Sequence, residues 1–430
     1  MNKKRLLLLL QVGLLSLVVF AQNPISPPGV YIADPSARVM PDGKMYVYGS
    51  WDESRNYYCS KKYHVLSSSN LKDWSLSQTS FTSEEGGDAK AILYAPDCIE
   101  KKGTYYLYYC MSDNSEGVAT SKSPNGPFLK GKSLGVKGID PAVFVDDDGQ
   151  AYYYWGQFQA KGAKLNKDMQ SINMSTMKDN LVTEEKHHFH EGSWVFKRNG
   201  IYYYVYTSLS PKAEATTIAY STSKSPLGPF TYRGIIIDNT GCDPCSWNDH
   251  GSVVQYKDEW YIFYHRSTHA CQAMRKACVE KIHFNKDGSI PQVEMTSQGA
   301  AGPLDAYSVT DAARACLLTG KMRIVQSAPD REELARIENY NLVTYKYLKF
   351  DHAPKKLIVR AAAQNGGQIQ LLTNSFRVLA IVNIPAGDGK TYSEYTTDVQ
   401  GIPQGVTQVR FRFMGEEDKD LMRFDSFKFE

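Results

Sequence analysis

The sequence predicts an all-β protein, a five-bladed β-propeller followed by a β-sandwich. Three observations carry this prediction. Tyrosine-rich hairpin units recur up to about residue 300, helical periodicity is absent among them, and beyond residue 305 the units give way to alternating short strands with different punctuation.

The chain opens with "MNKKRLLLLLQVGLLSLVVFAQ": three basic residues, an apolar run, then Val19 and Ala21 at the spacing of a cleavage site. Residues 1–21 are therefore expected to be a secretory signal, and the protein secreted or periplasmic. The first cysteine is Cys59, so no lipid attachment site follows the cleavage site. The apolar run is shorter than the roughly 20 residues a membrane span needs. Removing residues 1–21 takes away Lys3, Lys4 and Arg5, and with them the whole formal charge of +3. A neutral chain argues against nucleic acid or an acidic membrane surface as partner. The length of 430 residues fits two domains. The divisions expected are 22–305 for the propeller and 306–430 for the sandwich.

Each propeller unit begins with a small, acidic or imidazole side chain, followed by a short apolar strand, a turn and a tyrosine-rich strand. The units are "DPSARVMPDGKMYVYGS" from Asp34, "APDCIEKKGTYYLYYCMS" from Ala95, "DPAVFVDDDGQAYYYWGQ" from Asp140, "EGSWVFKRNGIYYYVYTS" from Glu191 and "HGSVVQYKDEWYIFYHRS" from His250. From the first residue to a tyrosine of the second strand the separation is 12, 11, 12, 11 and 11 residues (Tyr46, Tyr106, Tyr152, Tyr202, Tyr261). Turn-rich pieces such as "SNLKDW" and "SPNGPF" then lead into outer strands. Repeats of this length with four short strands imply propeller blades, a stacked solenoid being the competing architecture. In a propeller the first strand of every blade lines the axis. Asp34, Ala95, Asp140, Glu191 and His250 are therefore expected in a ring at one mouth. With 46 acidic residues in 430, three acids among five such positions arise by chance only about once in a hundred.

Carboxylates that converge in one pocket repel each other, and burial further disfavours their charge, so one of them is expected to hold a proton near neutral pH. An acid beside a base, in an exported protein rich in aromatic rings, suits glycosidic bond hydrolysis.

The order Asp34 in "ADPS", "YAPD" at Tyr94 to Asp97, Asp140 in "IDPAVF", Glu191 in "HEGSWVFKRNG" and "NDHGSVV" around His250 resembles glycoside hydrolase family 43, over about residues 29–300. The resemblance implies hydrolysis with inversion: Asp34 as general base on water, Glu191 as general acid, and Asp140 tuning and holding the acid. It implies no cofactor for the chemistry, and a structural calcium near the axis faced by His250. His250 has a second reading as a hydrogen-bonded core histidine, because one imidazole is far short of the six to eight oxygens calcium prefers. The resemblance also places Arg266, Trp51 and Tyr94 against the substrate. Trp74 and most paired tyrosines read as blade packing.

Beyond residue 305, "YKYLKFD", "KKLIVRAAA", "GQIQLLT", "RVLAIVNIP", "TQVRFRFMG" and "MRFDSFKFE" are short strands between Gly, Pro, Asn and Asp turns, a sandwich pattern. The closing segment is similar to family 6 carbohydrate-binding modules, which implies Asp425 as a structural calcium ligand. The domain has tyrosines and Phe376 but no tryptophan, which leaves glycan binding and a structural cap on the propeller as alternatives. The eight cysteines, including the pair Cys242 and Cys245, lack a second Cys-x-x-Cys and read as a local disulfide or as buried thiols.

The expected function is an exported, monomeric glycosidase that releases terminal α-L-arabinofuranosyl units from plant cell-wall polysaccharide or its oligomers. The alternatives are a β-xylosidase, an exo-β-galactosidase and, from another class, a non-catalytic glycan-binding propeller.

Overall fold

In the computed structural model, residues 19–20, 22–210, 215–243 and 248–430 are described. Apart from Val19 and Phe20 the expected signal segment lies outside these residues, as does Cys245. Five antiparallel sheets follow one another along the chain. The first contains Ile32–Val39, Met45–Trp51, Val65–Ser68 and Asp73–Leu76, with Val19–Phe20 paired to its outer edge. The second contains Asp97–Lys101, Thr104–Cys110, Ser115–Ser121 and Leu129–Lys137. The third contains Ala142–Val145, Ala151–Trp155, Lys161–Leu165 and Ile172–Lys178. The fourth contains Phe189–Arg198, Ile201–Ser208, Thr217–Ser223 and Thr231–Ile237. Blade five has three strands, Gly251–Tyr256, Glu259–Arg266 and Lys276–Ile282.

Both faces of a blade are buried, which explains the consecutive tyrosines. Side chains alternate along a strand, so in "AYYYW" Tyr153 packs between blades two and three while Tyr152 and Tyr154 pack between blades three and four. In "IYYYVY" Tyr203 faces blade five, and Tyr202, Tyr204 and Tyr206 face blade three. One apolar cluster fills each gap between neighbours. The ring closes where Trp74 of blade one meets Phe263 of blade five edge to face, their centroids 6.2 Å apart. Trp74 is thus packing, as its sequence context indicates.

A network lower on the axis joins all five blades. The Arg38 guanidinium donates to both carboxylate oxygens of Asp97 (Nε to Oδ1 3.1 Å, Nη2 to Oδ2 2.5 Å) and to the Val143 carbonyl, and it lies 3.9 Å from the centroid of the Trp194 ring. Trp194 donates through Nε1 to the Val253 carbonyl. Asp97 also accepts from the Ser36 hydroxyl and the Val143 amide.

The C-terminal region is a sandwich of two six-stranded sheets. Tyr345, Phe411 and Phe413 from one sheet pack against Phe424 and Phe427 from the other. Its first strand, Leu304–Asp305, lies just ahead of residue 306. The sandwich docks on blade five: buried Lys276 donates to Glu332 at 2.6 and 2.7 Å and to the Pro27 carbonyl, and the apolar core runs on continuously from blade five. Asp425 departs from the calcium-ligand expectation. Its carboxylate accepts from Arg360 Nη1 at 2.6 Å and faces Arg331 at 3.6 Å, so two guanidinium groups already neutralise it. Tyr345 is a core residue, whereas Tyr340 and Phe376 are exposed. The described cysteines are all free thiols and, Cys271 apart, buried, so the thiol alternative holds among them.

Candidate active site

The first residues of the five units, Asp34, Ala95, Asp140, Glu191 and His250, all line one cavity of ≈ 460 Å³, within the usual range of ligand pockets. Tyr94 lines it too, with Arg275, Gln157, Asn248 and Tyr58.

Local backbone irregularities aim the three acids. Asp34 and Pro35 form a bulge against Met45–Trp51, since Ala33 pairs with Ser50 and Ser36 with Tyr48. A bulge re-aims a side chain, and Asp34 adopts a left-handed φ of 52°. Asp140, ahead of Pro141, has φ 55°. Glu191 pairs with Thr207 between two register shifts, and Gly192 beyond it has φ 73°. The Gly192 amide donates to Asp140 Oδ2 at 3.1 Å, tying the blade-four acid to the blade-three acid. A side chain at Gly192 has no room: a Cβ there would lie 2.7 Å from Thr207 Oγ1 and 2.9 Å from the His250 ring.

The three carboxyls have different surroundings. Asp34 is buried, which alone would raise its pKa. Arg275 Nη1, 2.8 Å from Oδ1, and His250 Nδ1 at 3.4 Å outweigh that and hold it far below the ordinary carboxylate range. Ser50 donates to its other oxygen at 2.5 Å. Arg275 is itself aimed by buried Asp52, which accepts its Nε at 2.8 Å and Nη2 at 2.9 Å. Asp140 goes the other way: burial and the negative charges of Glu191 and Asp34 outweigh His250 and push it up to about 7. Glu191 is part-exposed, accepts from Gln157 Nε2 at 2.8 Å and lies 3.9 Å from His190. The expectation that one acid of the set holds a proton near neutral pH is met at Asp140. For His250 burial lowers the pKa, but the Asp34 and Asp140 carboxylates outweigh it, and the net direction is upward.

Two expected substrate contacts lie elsewhere. Arg266 is fully buried and donates to the carbonyls of Ala315 (2.5 Å) and Ala313 (2.9 Å) in the sandwich. The reason is strand parity: His265 faces Asp34, so its neighbour on Glu259–Arg266 faces away. The arginine at the cavity is Arg275, which sequence reasoning missed because "AMRKACV" carries no motif that distinguishes it. Trp51 is half-buried, 4.2 Å from the His64 ring with Lys62 over its face, and does not line the cavity. Gln157, Asn248 and His265 were also missed, being ordinary polar residues whose meaning appears only when blades converge.

The donor set near His250 does not fit calcium. Its Nδ1 faces Asp34, and the Asp34 oxygens are occupied by Arg275 and Ser50. Further along the axis a guanidinium already neutralises Asp97. Among the described residues no group of three or more His, Cys, Asp or Glu is placed to hold a metal ion.

A propeller whose axial pocket brings together an ionised carboxylate, Asp34, a second acid raised toward neutral pH, Asp140, and a third carboxyl, Glu191, has the groups of a glycoside hydrolase, whose chemistry runs on two carboxyls without a cofactor. The chain belongs to glycosyl hydrolases family 43, whose family model matches residues 21–290, and residues 319–430 match the carbohydrate binding module of family 6. It is 28% identical to a xylosidase/arabinosidase of Thermoclostridium stercorarium, over 94% of this chain and 98% of that protein. Among solved structures it resembles an arabinoxylan arabinofuranohydrolase from Bacillus subtilis in complex with cellotetraose (TM-score 0.55, 26% identity, covering 95% of this chain and 97% of that one). It also resembles a β-xylosidase/α-arabinofuranosidase from a compost microbial metagenome, in complex with xylotriose and in a calcium-free form (TM-score 0.57, 29% identity, covering 64% of this chain and 99% of that one). The protein is therefore a glycoside hydrolase, and its substrate class is oligosaccharide or polysaccharide.

Proposed function

We propose that the protein is an exported, inverting exo-glycosidase that removes terminal α-L-arabinofuranosyl units from plant cell-wall polysaccharide or its oligomers. The observation that carries this reading is the unlike treatment of three acids in one pocket. Asp34 is kept ionised by Arg275, as a base acting on water requires. Glu191, part-exposed at the mouth beside Gln157, has access to a leaving oxygen. Asp140, held by the Gly192 amide and pushed up to about 7 by burial and by the charges of Glu191 and Asp34, is the neighbouring group that repels extra negative charge beside the acid.

In this mechanism Glu191 passes its proton to the glycosidic oxygen as the C–O bond breaks. Asp34 takes a proton from the water that attacks the opposite face of the sugar. The products are the free sugar of inverted anomeric configuration and the shortened chain, with Glu191 ionised and Asp34 protonated until solvent exchange restores both. The name of the B. subtilis relative favours arabinofuranosyl substrates, and that of the T. stercorarium protein, a xylosidase/arabinosidase, keeps β-xyloside as the second reading. No calcium is assigned a role in this reading.

The test is hydrolysis of 4-nitrophenyl α-L-arabinofuranoside and β-D-xyloside by the unmutated protein and by Asp34→Asn and Glu191→Gln, with the anomer first released followed by NMR. Retained configuration, or full activity in both variants, overturns the assignment. Glycan binding without hydrolysis by the unmutated protein would instead support the lectin-like alternative.

A further inference from the structure

Behind the cavity wall a chain of hydrogen bonds leads from the exposed rim to the backbone of Asp34. The Asp34 amide donates to His265 Nδ1 at 3.0 Å. That nitrogen must therefore carry a lone pair, and the ring proton belongs on Nε2, which faces Asn248 Oδ1 at 2.8 Å. His265 is fully buried, and burial together with Arg275 holds its pKa well below the ordinary histidine value, so the ring is neutral and only its tautomer is open to choice. Asn248 fixes that choice. Its amide orientation is set in turn, because Nδ2 donates to the Tyr58 hydroxyl at 3.1 Å and the Gln272 carbonyl at 2.9 Å. Asn239 Nδ2 clamps the link from behind, donating to the carbonyls of Asn248 (2.6 Å) and His265 (2.5 Å).

The other tautomer has a specific cost. A proton on Nδ1 would confront the Asp34 amide, removing the bond that holds the left-handed bulge, and would point instead at Asp34 Oδ1, 3.4 Å away. The carboxylate that must accept a proton from water would then hold an additional donor, on a backbone no longer pinned. We infer that His265 and Asn248 are positioning residues for Asp34: Asn248 selects the Nε2–H tautomer of His265, and His265 in that form holds the Asp34 backbone in its reactive orientation. Neither role is assigned by the family comparison, and the inference rests on Asp34 being the base.

The test is a set of variants read by kcat and KM separately on an aryl glycoside the unmutated protein hydrolyses. His265→Asn keeps an acceptor near the Nδ1 position and is expected to retain kcat within about fivefold, whereas His265→Leu loses the acceptor and about a hundredfold in kcat. Asn248→Ala is expected to lower kcat about tenfold or more with KM changed less than twofold, since the effect passes through Asp34 and not through sugar contact. In a His265→Asn background there is no tautomer to select, so adding Asn248→Ala is expected to cost little more. Additive losses in the double variant, a rise in KM as the main effect of Asn248→Ala, or equal loss in His265→Asn and His265→Leu would each overturn the inference. Asp34→Asn in the same assay separates the two readings: if it keeps activity, the base assignment fails and this inference with it. If it abolishes activity while the double variant is additive, only this inference fails.

Discussion

Arg275 Nη1 lies 2.8 Å from Asp34 Oδ1, joining the residue just ahead of the third strand of the last blade to the first strand of the first. This contact closes the ring at the site and sets the charge of one acid. Replacing Arg275 by Met leaves burial of Asp34 far less opposed, so its carboxyl moves up. The acid limb of kcat/KM is therefore expected to shift to higher pH, with a loss of a hundredfold or more at pH 6. Arg275→Lys keeps the charge but loses the two-pronged grip of Asp52, so it should lower activity with a much smaller shift of the limb. Profiles of kcat/KM against pH for the three proteins check this.

Asp140 gives a stability prediction of opposite sign from an ordinary ion-paired acid. Its folded pKa, about 7, lies above the unfolded value of about 3.9. The folded state binds the extra proton between these values, so the contribution of Asp140 to stability falls as pH rises from about 4 to 7 and stays low above that. Asp140→Asn removes this dependence, while its side-chain oxygen can still accept from the Gly192 amide. The variant is expected to be more stable than the unmutated protein at pH 8 by a few kcal/mol, with the advantage shrinking toward pH 5, and to be at least a hundredfold less active. Melting curves at the two pH values measure it.

The blades and the ring of first residues were legible in the sequence because both follow from spacing. A tyrosine 11 or 12 residues after each unit start fixes hairpin length, and closure of a propeller then brings the starts together. Arg266 and Trp51 were misplaced because a motif names a residue without its strand parity: one step along Glu259–Arg266 turns the side chain from the axis to the sandwich. Arg275, Asn248 and His265 had no local signal, because their partners lie up to 241 positions away in the sequence. Electrostatics was legible in kind and not in assignment. Convergence of carboxyls implied a raised pKa, but only the position of Arg275 decides that Asp34 is spared and Asp140 carries it.

The axial network predicts how the propeller responds to metal removal. Arg38 supplies the positive charge that Asp97 needs, from within the chain. Incubation with EDTA is therefore expected to leave the melting temperature and kcat unchanged. Arg38→Met leaves Asp97 buried without its partner, and breaking such a pair costs about 3–5 kcal/mol. A fall in melting temperature on chelation of the unmutated protein would contradict this account of the axis.

Gly192 joins backbone conformation to the chemistry most directly. A left-handed φ costs a residue with a side chain about 1–2 kcal/mol, and Gly192→Ala would also drive a methyl group against Thr207 Oγ1 and the His250 ring. Neither neighbour yields freely: Thr207 donates to the Asp249 carbonyl at 2.7 Å, and His250 Nδ1 is engaged by Asp34. The strain should be relieved by moving the Gly192 amide, which is the donor on Asp140, and with it the adjoining Glu191. The expected outcome is a folded protein destabilised by about 2 kcal/mol or more, with kcat reduced about a hundredfold because acid and base no longer share one geometry. Equilibrium unfolding and steady-state kinetics on the same preparation test it. A destabilised but fully active variant would show that the Gly192 amide does not orient the acids.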